Sequence, residues 1–376
     1  MSEDAEALPV LISEADAGNG KKVGILTLNK PKALNALDLA MAELMLDALK
    51  DFATREDIAC VFIDAEGEKA FCAGGDVVSM HEAMLRDKGA IPAFLKTFFS
   101  VEYTLDYTIR TFNKPIIVWG TGIVMGGGMG LMSGASHRIV TETSRLAMPE
   151  ITIGLYPDVG GSYFLPRLPG KSGLFLGLTG ASMNAGDARY LGLADHFVTS
   201  DKRQQLLDTL CEQAWQDDDV DEQVAGVINS LSDADEMPAS VVETHQSLID
   251  DVCSHDSLPA IVDAINAMDS ADDKWLARAQ KTLAGGSPIT AHLVYQQCQR
   301  GAHMSLADCF RMELIMSCRC GEAGEFQEGV RALLIDKDNS PNWKYASVAE
   351  VPDAVVDTFF TSPWDSASHP LTTLGE

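Results

Sequence analysis

Two glycine-rich segments and a few carboxylates are the residues of this chain whose types and spacing could do chemistry. The first segment is Phe71-Cys72-Ala73-Gly74-Gly75-Asp76, between an apolar stretch and a helical pattern. The second is Gly126-Gly127-Gly128, placed the same way after another apolar stretch. Where a strand hands over to a helix, backbone N–H groups lack partners and point outward. Glycine lets a ligand approach that backbone closely. Two such turns side by side would offer two N–H donors to one developing oxyanion. Spacing alone equally allows two tight turns, since glycine commonly ends strands. Among the acids, Glu150 follows Pro149 at the end of a short apolar run. Asp158 lies in Gly154-Leu155-Tyr156-Pro157-Asp158-Val159-Gly160-Gly161, a loop with almost no other charge. A carboxylate there is exposed to desolvation, which raises its pKa toward values useful in proton transfer. A turn or helix-cap role for Asp158 stays open on the same residues.

Other chemistries fall away by elimination. A dinucleotide fingerprint fails because Met125 stands where the third glycine would follow Gly120 and Gly122. A P-loop fails because Leu165, not glycine, precedes Gly170-Lys171-Ser172. There is no G-x-S-x-G elbow and no H-E-x-x-H. Eight cysteines form no C-x-x-C pair, so reduced thiols in a cytosol-like compartment are expected. The first 20 residues hold five acids and no Lys or Arg, unlike a signal or transit peptide, and cytoplasmic localisation is the expectation. The uncharged run 115–136 is long enough to span a bilayer, but seven of its residues are glycine. A buried strand, a glycine loop and a small-residue helix fit it better.

The elements that must position these groups follow from periodicity. Strands are expected at 23–28, 58–63 and 116–119, with short ones at 138–141 and 146–148. Asp38 can cap a helix whose Met41, Met45, Leu49 and Phe52 share a face. Further helices are expected from Val77, at 129–135 and at 172–178. Strand, loop and helix recurring in this way argue for α/β architecture with crossover connections. The chain divides into an acidic extension (1–20), a core (21–200), an acidic helical segment (201–275), a C-terminal helical region (276–345) and a short helix with a loose tail (346–376). Net charge is −27, from 55 acids against 28 bases, which argues against nucleic acid or anionic membrane as partner. That charge is uneven: 201–275 carries −16, whereas 21–200 carries −2. Lys21, Lys22, Lys30 and Lys32 cluster at the start of the near-neutral core.

Taken together, NKPKALNAL (29–37), AFCAGGD (70–76), GTGIVMGGGMGL (120–131) and MPEITIGLYPDVGG (148–161) resemble the enoyl-CoA hydratase/isomerase (crotonase) superfamily in order and spacing. YPDVGGSYFLPRLPG (156–170) and EGVRALLIDKDNSPNW (328–343) are similar to its 3-hydroxyisobutyryl-CoA hydrolase branch. The resemblance implies a crotonase-like spiral of ββα repeats followed by C-terminal helices. It implies an oxyanion hole from the N–H groups of Gly75 and Gly127, and a coenzyme A groove along Lys32, Ala33, Leu34, Ala73, Gly75 and Asp76. Glu150 matches the superfamily's second catalytic glutamate. Glu102, Gly127, Glu150 and Asp158 match the branch's substrate-binding positions, with Asp158 also expected in catalysis. The superfamily's first glutamate would stand at position 130, which is glycine here. Hydration by two carboxylates is thereby disfavoured, and isomerase remains the alternative to thioester hydrolysis. The implied reaction releases coenzyme A from a short branched 3-hydroxyacyl thioester, as in valine catabolism. Coenzyme A enters as part of the substrate, no other cofactor and no metal are implied, and a homo-oligomer is compatible with the family.

Overall fold

The computed structural model describes residues 8–376. Residues 1–7 of the expected acidic extension lie outside them. Later in that same stretch, Val10–Asp16 forms strand β1, paired antiparallel with β2 (Lys22–Leu28). β1 shows most of its residues to solvent. Its Glu14 is tied by Lys22 at 2.8 Å and by Arg55, which puts charge on an edge that also exposes Leu11 and Ile12.

The chain forms two compact units whose segments alternate along the sequence. The first comprises the residues up to Gly75, then Leu105–Leu146 and Asn184–Ser240. Its main sheet has the order β1-β2-β3-β5-β7-β9, adding β3 (Ile58–Ala65), β5 (Ile116–Gly120), β7 (His137–Val140) and β9 (His196–Phe197). Every pairing after the first is parallel. Parallel strands with both faces covered read as unbroken apolar runs, and every residue of β3 is buried. Helix α1 (Leu39–Thr54) starts as expected: the Asp38 carboxylate accepts the Met41 N–H, and Met41, Met45, Leu49 and Phe52 are buried. A small second sheet, β4-β6-β8, joins β4 (Ala70–Cys72), β6 (Ile123–Met125) and β8 (Arg145–Ala147). β4 and β6 have three residues each, too few for alternation to show in sequence.

The acidic stretch after residue 200 is divided between the units. Through Ser240 it belongs to the first unit, where Leu206, Leu210, Val224 and Ile228 pack with Phe62, Trp119 and Ile139 of the sheet. Its helices are amphipathic, so its acids take the face away from this core. From Val241 it joins the second unit, with Asp76–Thr104 and Ala147–Met183. The long helices there, at Lys274–Gly285, Pro288–Gly301 and Leu306–Ala323, begin at Asp273, Ser287 and Ser305. Each of these side chains accepts a backbone N–H of the first turn.

Helix α3, at Ala93–Arg110, has no counterpart in the sequence reading. Its Phe, Tyr, Thr and Ile residues are weak helix formers, and packing of Leu95, Phe98, Phe99 and Tyr103 into the core supplies what propensity does not. The end of the chain is also better held than a loose tail. Arg311 donates to the carbonyls of Leu371 at 3.0 Å and Thr372 at 3.2 Å, and Leu371 is buried.

At Gly301 two backbone segments of the helical unit approach closely, since a Cβ there would lie 1.8 Å from the Ser162 carbonyl oxygen. Gly301→Ala must push two backbone segments apart. The expected loss is about 1–3 kcal/mol, read as a lower urea midpoint.

Candidate active site

In the first unit the two glycine turns are neighbours because their strands are. β4 and β6 pair in parallel, Ala70 beside Ile123 and Cys72 beside Val124, so both chains leave the sheet at the same end. Helix α4 (Gly127–Ser133) starts directly after β6. At its second residue, Gly128, a Cβ would stand 2.4 Å from the Cys72 carbonyl oxygen, so only glycine permits this approach. Gly127 opens α4, where an amide has no intrahelical acceptor. Neither its N–H nor that of Gly75 donates a hydrogen bond to protein among the described residues.

The segment 29–37 is stitched to the first of these turns. The Ala73 N–H donates to the Leu34 carbonyl at 3.1 Å, and the Leu37 N–H to the Gly74 carbonyl at 2.8 Å. Asn35 shapes the loop. It accepts the Lys30 N–H at 2.8 Å and donates to the carbonyls of Glu66 and Ala70, each at 3.0 Å. Leu34 and Asn35 both take left-handed backbone, φ +52° and +55°. A cleft of about 330 Å³ opens here, lined by Lys32, Leu34, Asn35, Glu66 and Lys69 among others. Lys32 and Ala33 are exposed. The lysine cluster is less free than sequence suggests: Lys21, Lys22 and Lys30 pair with Asp217, Glu14 and Asp38 at 2.6–2.8 Å. Lys32 has no carboxylate partner among the described residues.

The carboxylates belong to the second unit. Asp76 opens helix α2 (Val77–Arg86), and its side chain caps it, accepting the Ser79 N–H at 3.2 Å and hydroxyl at 2.7 Å. Glu150 begins a short 3-10 turn, Glu150–Ile153. It is 5% exposed, and its Oε2 is enclosed with no hydrogen-bond partner among the described residues. Burial pushes its pKa well above the ordinary carboxyl range, and the charge of nearby Asp158 adds to the push. Asp158 is 4% exposed, and its Oδ2 lies 2.7 Å from the Tyr103 hydroxyl oxygen. Burial raises it to about 6, and a donated hydrogen bond from Tyr103 would oppose the rise. Glu102, beside Tyr103 on α3, is buried as well.

The loop that carries Asp158 is clamped from helix Leu306–Ala323. Glu313, fully buried, accepts the Gly160 N–H on Oε2 at 2.9 Å and the Ser162 N–H on Oε1 at 2.8 Å. Gln297 donates to the Pro157 carbonyl at 2.8 Å. Between these anchors Val159 sits at φ +51°, a strained conformation for a β-branched residue. Burial pushes Glu313 up to about 8, against the pull of its two N–H donors. Sequence reading missed Tyr103, Gln297, Glu313 and Ser317. For Glu313 a signal existed, a lone acid between Met312 and Leu314 in an apolar helical run. No cluster of three or more His, Cys, Asp or Glu able to hold a metal ion occurs among the described residues, and none of their helices is long and apolar enough to cross a membrane.

Comparison with known proteins bears on the whole chain. A family profile described as enoyl-CoA hydratase/isomerase matches residues 23–360. A mitochondrial 3-hydroxyisobutyryl-CoA hydrolase of Danio rerio is 41% identical over 345 residues, 91% of this chain and 87% of the relative. That of Homo sapiens is 36% identical over 343 residues, 90% of this chain and 86% of the relative. Among solved structures, a carnitinyl-CoA dehydratase from Mycobacterium thermoresistibile aligns with TM-score 0.85 and 35% identity, covering 98% of this chain and 99% of that one. An enoyl-CoA hydratase from Rhodobacter sphaeroides aligns with TM-score 0.80 and 34% identity, covering 94% and 98%. The expected fold is therefore found. The expected cytoplasmic localisation is corrected, because the hydrolase relatives are mitochondrial by name. Reduced cysteines separate reducing from oxidising surroundings, not cytosol from organelle.

Glu313→Gln keeps the volume but turns an NH₂ group toward a backbone N–H. The loop should lose about 1–3 kcal/mol, measured by urea unfolding, and Gly160 should gain amide exchange.

Proposed function

This chain belongs to the enoyl-CoA hydratase/isomerase family, and from that premise we propose that it hydrolyses 3-hydroxyisobutyryl-CoA to 3-hydroxyisobutyrate and coenzyme A, a step of valine breakdown. Identity of 36–41% to hydrolases of that name, over about nine-tenths of the chain, supports the substrate. The observation that carries the chemistry is Glu150, a buried carboxylate whose Oε2 has no hydrogen-bond partner among the described residues. In the proposed mechanism the N–H groups of Gly75 and Gly127 hold the thioester oxygen. Negative charge grows there as the carbonyl carbon is attacked, and a fixed donor is worth about 3–4 kcal/mol. Glu150 attacks that carbon, the C–S bond breaks, and coenzyme A leaves as its thiolate. Water then opens the mixed anhydride and returns the carboxylate. Glycine at position 130, where a second carboxylate would help hold a water, favours this route over general-base action on water. Asp158 and Glu102 recognise the 3-hydroxyl, and Asp158 also sets the charge beside Glu150. Coenzyme A runs past Lys32, Ala33, Leu34 and Ala73, largely on backbone, with Lys32 available to a phosphate. Asp76 contributes through its backbone, its carboxylate being the cap of α2.

Hydration and isomerisation of enoyl thioesters are the competing reactions within the family. Position 130, where a second carboxylate would come from, is a buried glycine of α4. Water addition by a carboxylate pair is therefore not the reading adopted.

Thiol release against 3-hydroxyisobutyryl- and 3-hydroxypropionyl-CoA, with enoyl thioesters as controls, tests the assignment. Release from the hydroxyacyl substrates alone is expected. Glu150→Gln should abolish turnover, since an amide cannot form the anhydride, while product coenzyme A still binds; near-native turnover would overturn the mechanism. Because Glu150 must be ionised to attack and its pKa is raised, kcat/KM should fall with acid already above 4.5, the ordinary value for glutamate.

A further inference from the structure

Four short oxygen–oxygen contacts form a line through the helical unit. The Glu313 backbone carbonyl meets the Tyr156 hydroxyl at 2.7 Å, and Tyr156 meets Ser317 Oγ at 2.8 Å. Ser317 Oγ meets the Tyr103 hydroxyl at 2.7 Å, and Tyr103 meets Asp158 Oδ2 at 2.7 Å. All five residues are buried. At such distances each pair of oxygens needs one proton between them. A hydroxyl has only one proton to donate. Three hydroxyls thus bring three protons to four contacts. The carbonyl can only accept, so Tyr156 donates to it. Ser317 must then donate to Tyr156, and Tyr103 to Ser317. Nothing is left between Tyr103 and Asp158 unless the carboxyl supplies its own proton.

We propose that Asp158 is held as a neutral carboxylic acid, its Oδ2 proton donated to Tyr103, and that Tyr103, Ser317 and Tyr156 are positioning residues that keep it so. With Asp158 ionised, one of the four contacts would be left with two oxygens about 2.7–2.8 Å apart and no proton between them, in a buried place. The groups that feel Asp158 point the same way. They are Glu150, Glu313, Tyr156, Cys320 and Tyr103, with Glu102 acting on Tyr103, and none is a cation. Two neighbouring buried carboxyls resist ionising together. Burial raises both Glu150 and Asp158, so the pair together favours holding one proton. The hydroxyl line puts it on Asp158, so that Glu150 holds the single negative charge. This use of the line rests on Glu150 as the attacking group; the proton count does not.

Carboxyl-¹³C aspartate in the full chain, assigned with Asp158→Asn, reads the charge directly by NMR titration. Asp158 is expected to stay protonated at neutral pH. Ser317→Ala cuts the line and frees Tyr103 to donate to the carboxylate. It should lower the midpoint by about one pH unit, about tenfold in the ratio of acid to anion, with Ser317→Thr restoring it. The pH profile of thiol release should move with the midpoint. An infrared spectrum of the unmodified chain carrying carboxyl-¹³C aspartate, whose isotope-shifted protonated band separates aspartate from Glu150 and Glu313, keeps the test independent of how the variants fold. An ionised Asp158 at neutral pH, or an unmoved midpoint in folded Ser317→Ala, overturns the proposal. Because these signals need no turnover, a chain that hydrolyses no thioester would sink the functional reading separately.

Discussion

Burying carboxylates without cations is the constraint on which the helical unit depends. Glu150, Asp158 and Glu313 are almost wholly enclosed, and none forms an ion pair among the described residues. Removing a carboxylate from water is costly unless hydrogen bonds or a proton replace the lost solvation. Glu313 meets that demand with two backbone N–H groups, and in doing so holds the loop of Asp158. Asp158 meets it through Tyr103 and the hydroxyls behind it. Glu150 meets it least, and an under-satisfied carboxylate is a reactive one. The strain at Val159 fits the same picture, since two anchors on either side keep a conformation the residue would not choose.

The sheet-bearing unit solves a different problem. It must present backbone N–H groups rather than side chains, and backbone is positioned by strands. The pairing of β4 with β6 brings two strand ends together, and Gly128 lets a helix begin against Cys72. Asn35 holds the adjoining loop with three hydrogen bonds to main chain. None of this depends on charge. That agrees with the near-neutral balance of 21–200, while the acids of 201–240 lie on helices that cover the far part of the sheet's core.

Legibility in the sequence followed the length and periodicity of the elements. β3 stood out because an unbroken apolar run of strand length marks a strand covered on both faces. α1 stood out because a capping aspartate precedes a stripe of helical period. β4 and β6 did not, since three residues carry no period. α3 did not, because its residues favour strand or coil and only packing makes it a helix. In the site, Gly75, Gly127, Glu150 and Asp158 could be picked out by type and spacing. Tyr103 and Ser317 could not, because Ser317 lies far from Asp158 along the chain and Tyr103 sits on the helix that the pattern did not reveal; Glu313 was visible as a lone acid in an apolar run, but the N–H groups it holds were not.

The sequence by itself determined which groups are present: two glycine turns, one glutamate where a pair could have stood, and an aspartate in an apolar loop. It also determined the family to which they belong, since order and spacing along the chain are properties of sequence. Tertiary structure alone decided the state of those groups. Whether a carboxylate is buried, which oxygen lacks a partner, and how many protons a line of hydroxyls needs depend on residues far apart in sequence. Protonation is set by local solvation and by neighbours within a few ångströms, and those neighbours are assembled only by folding.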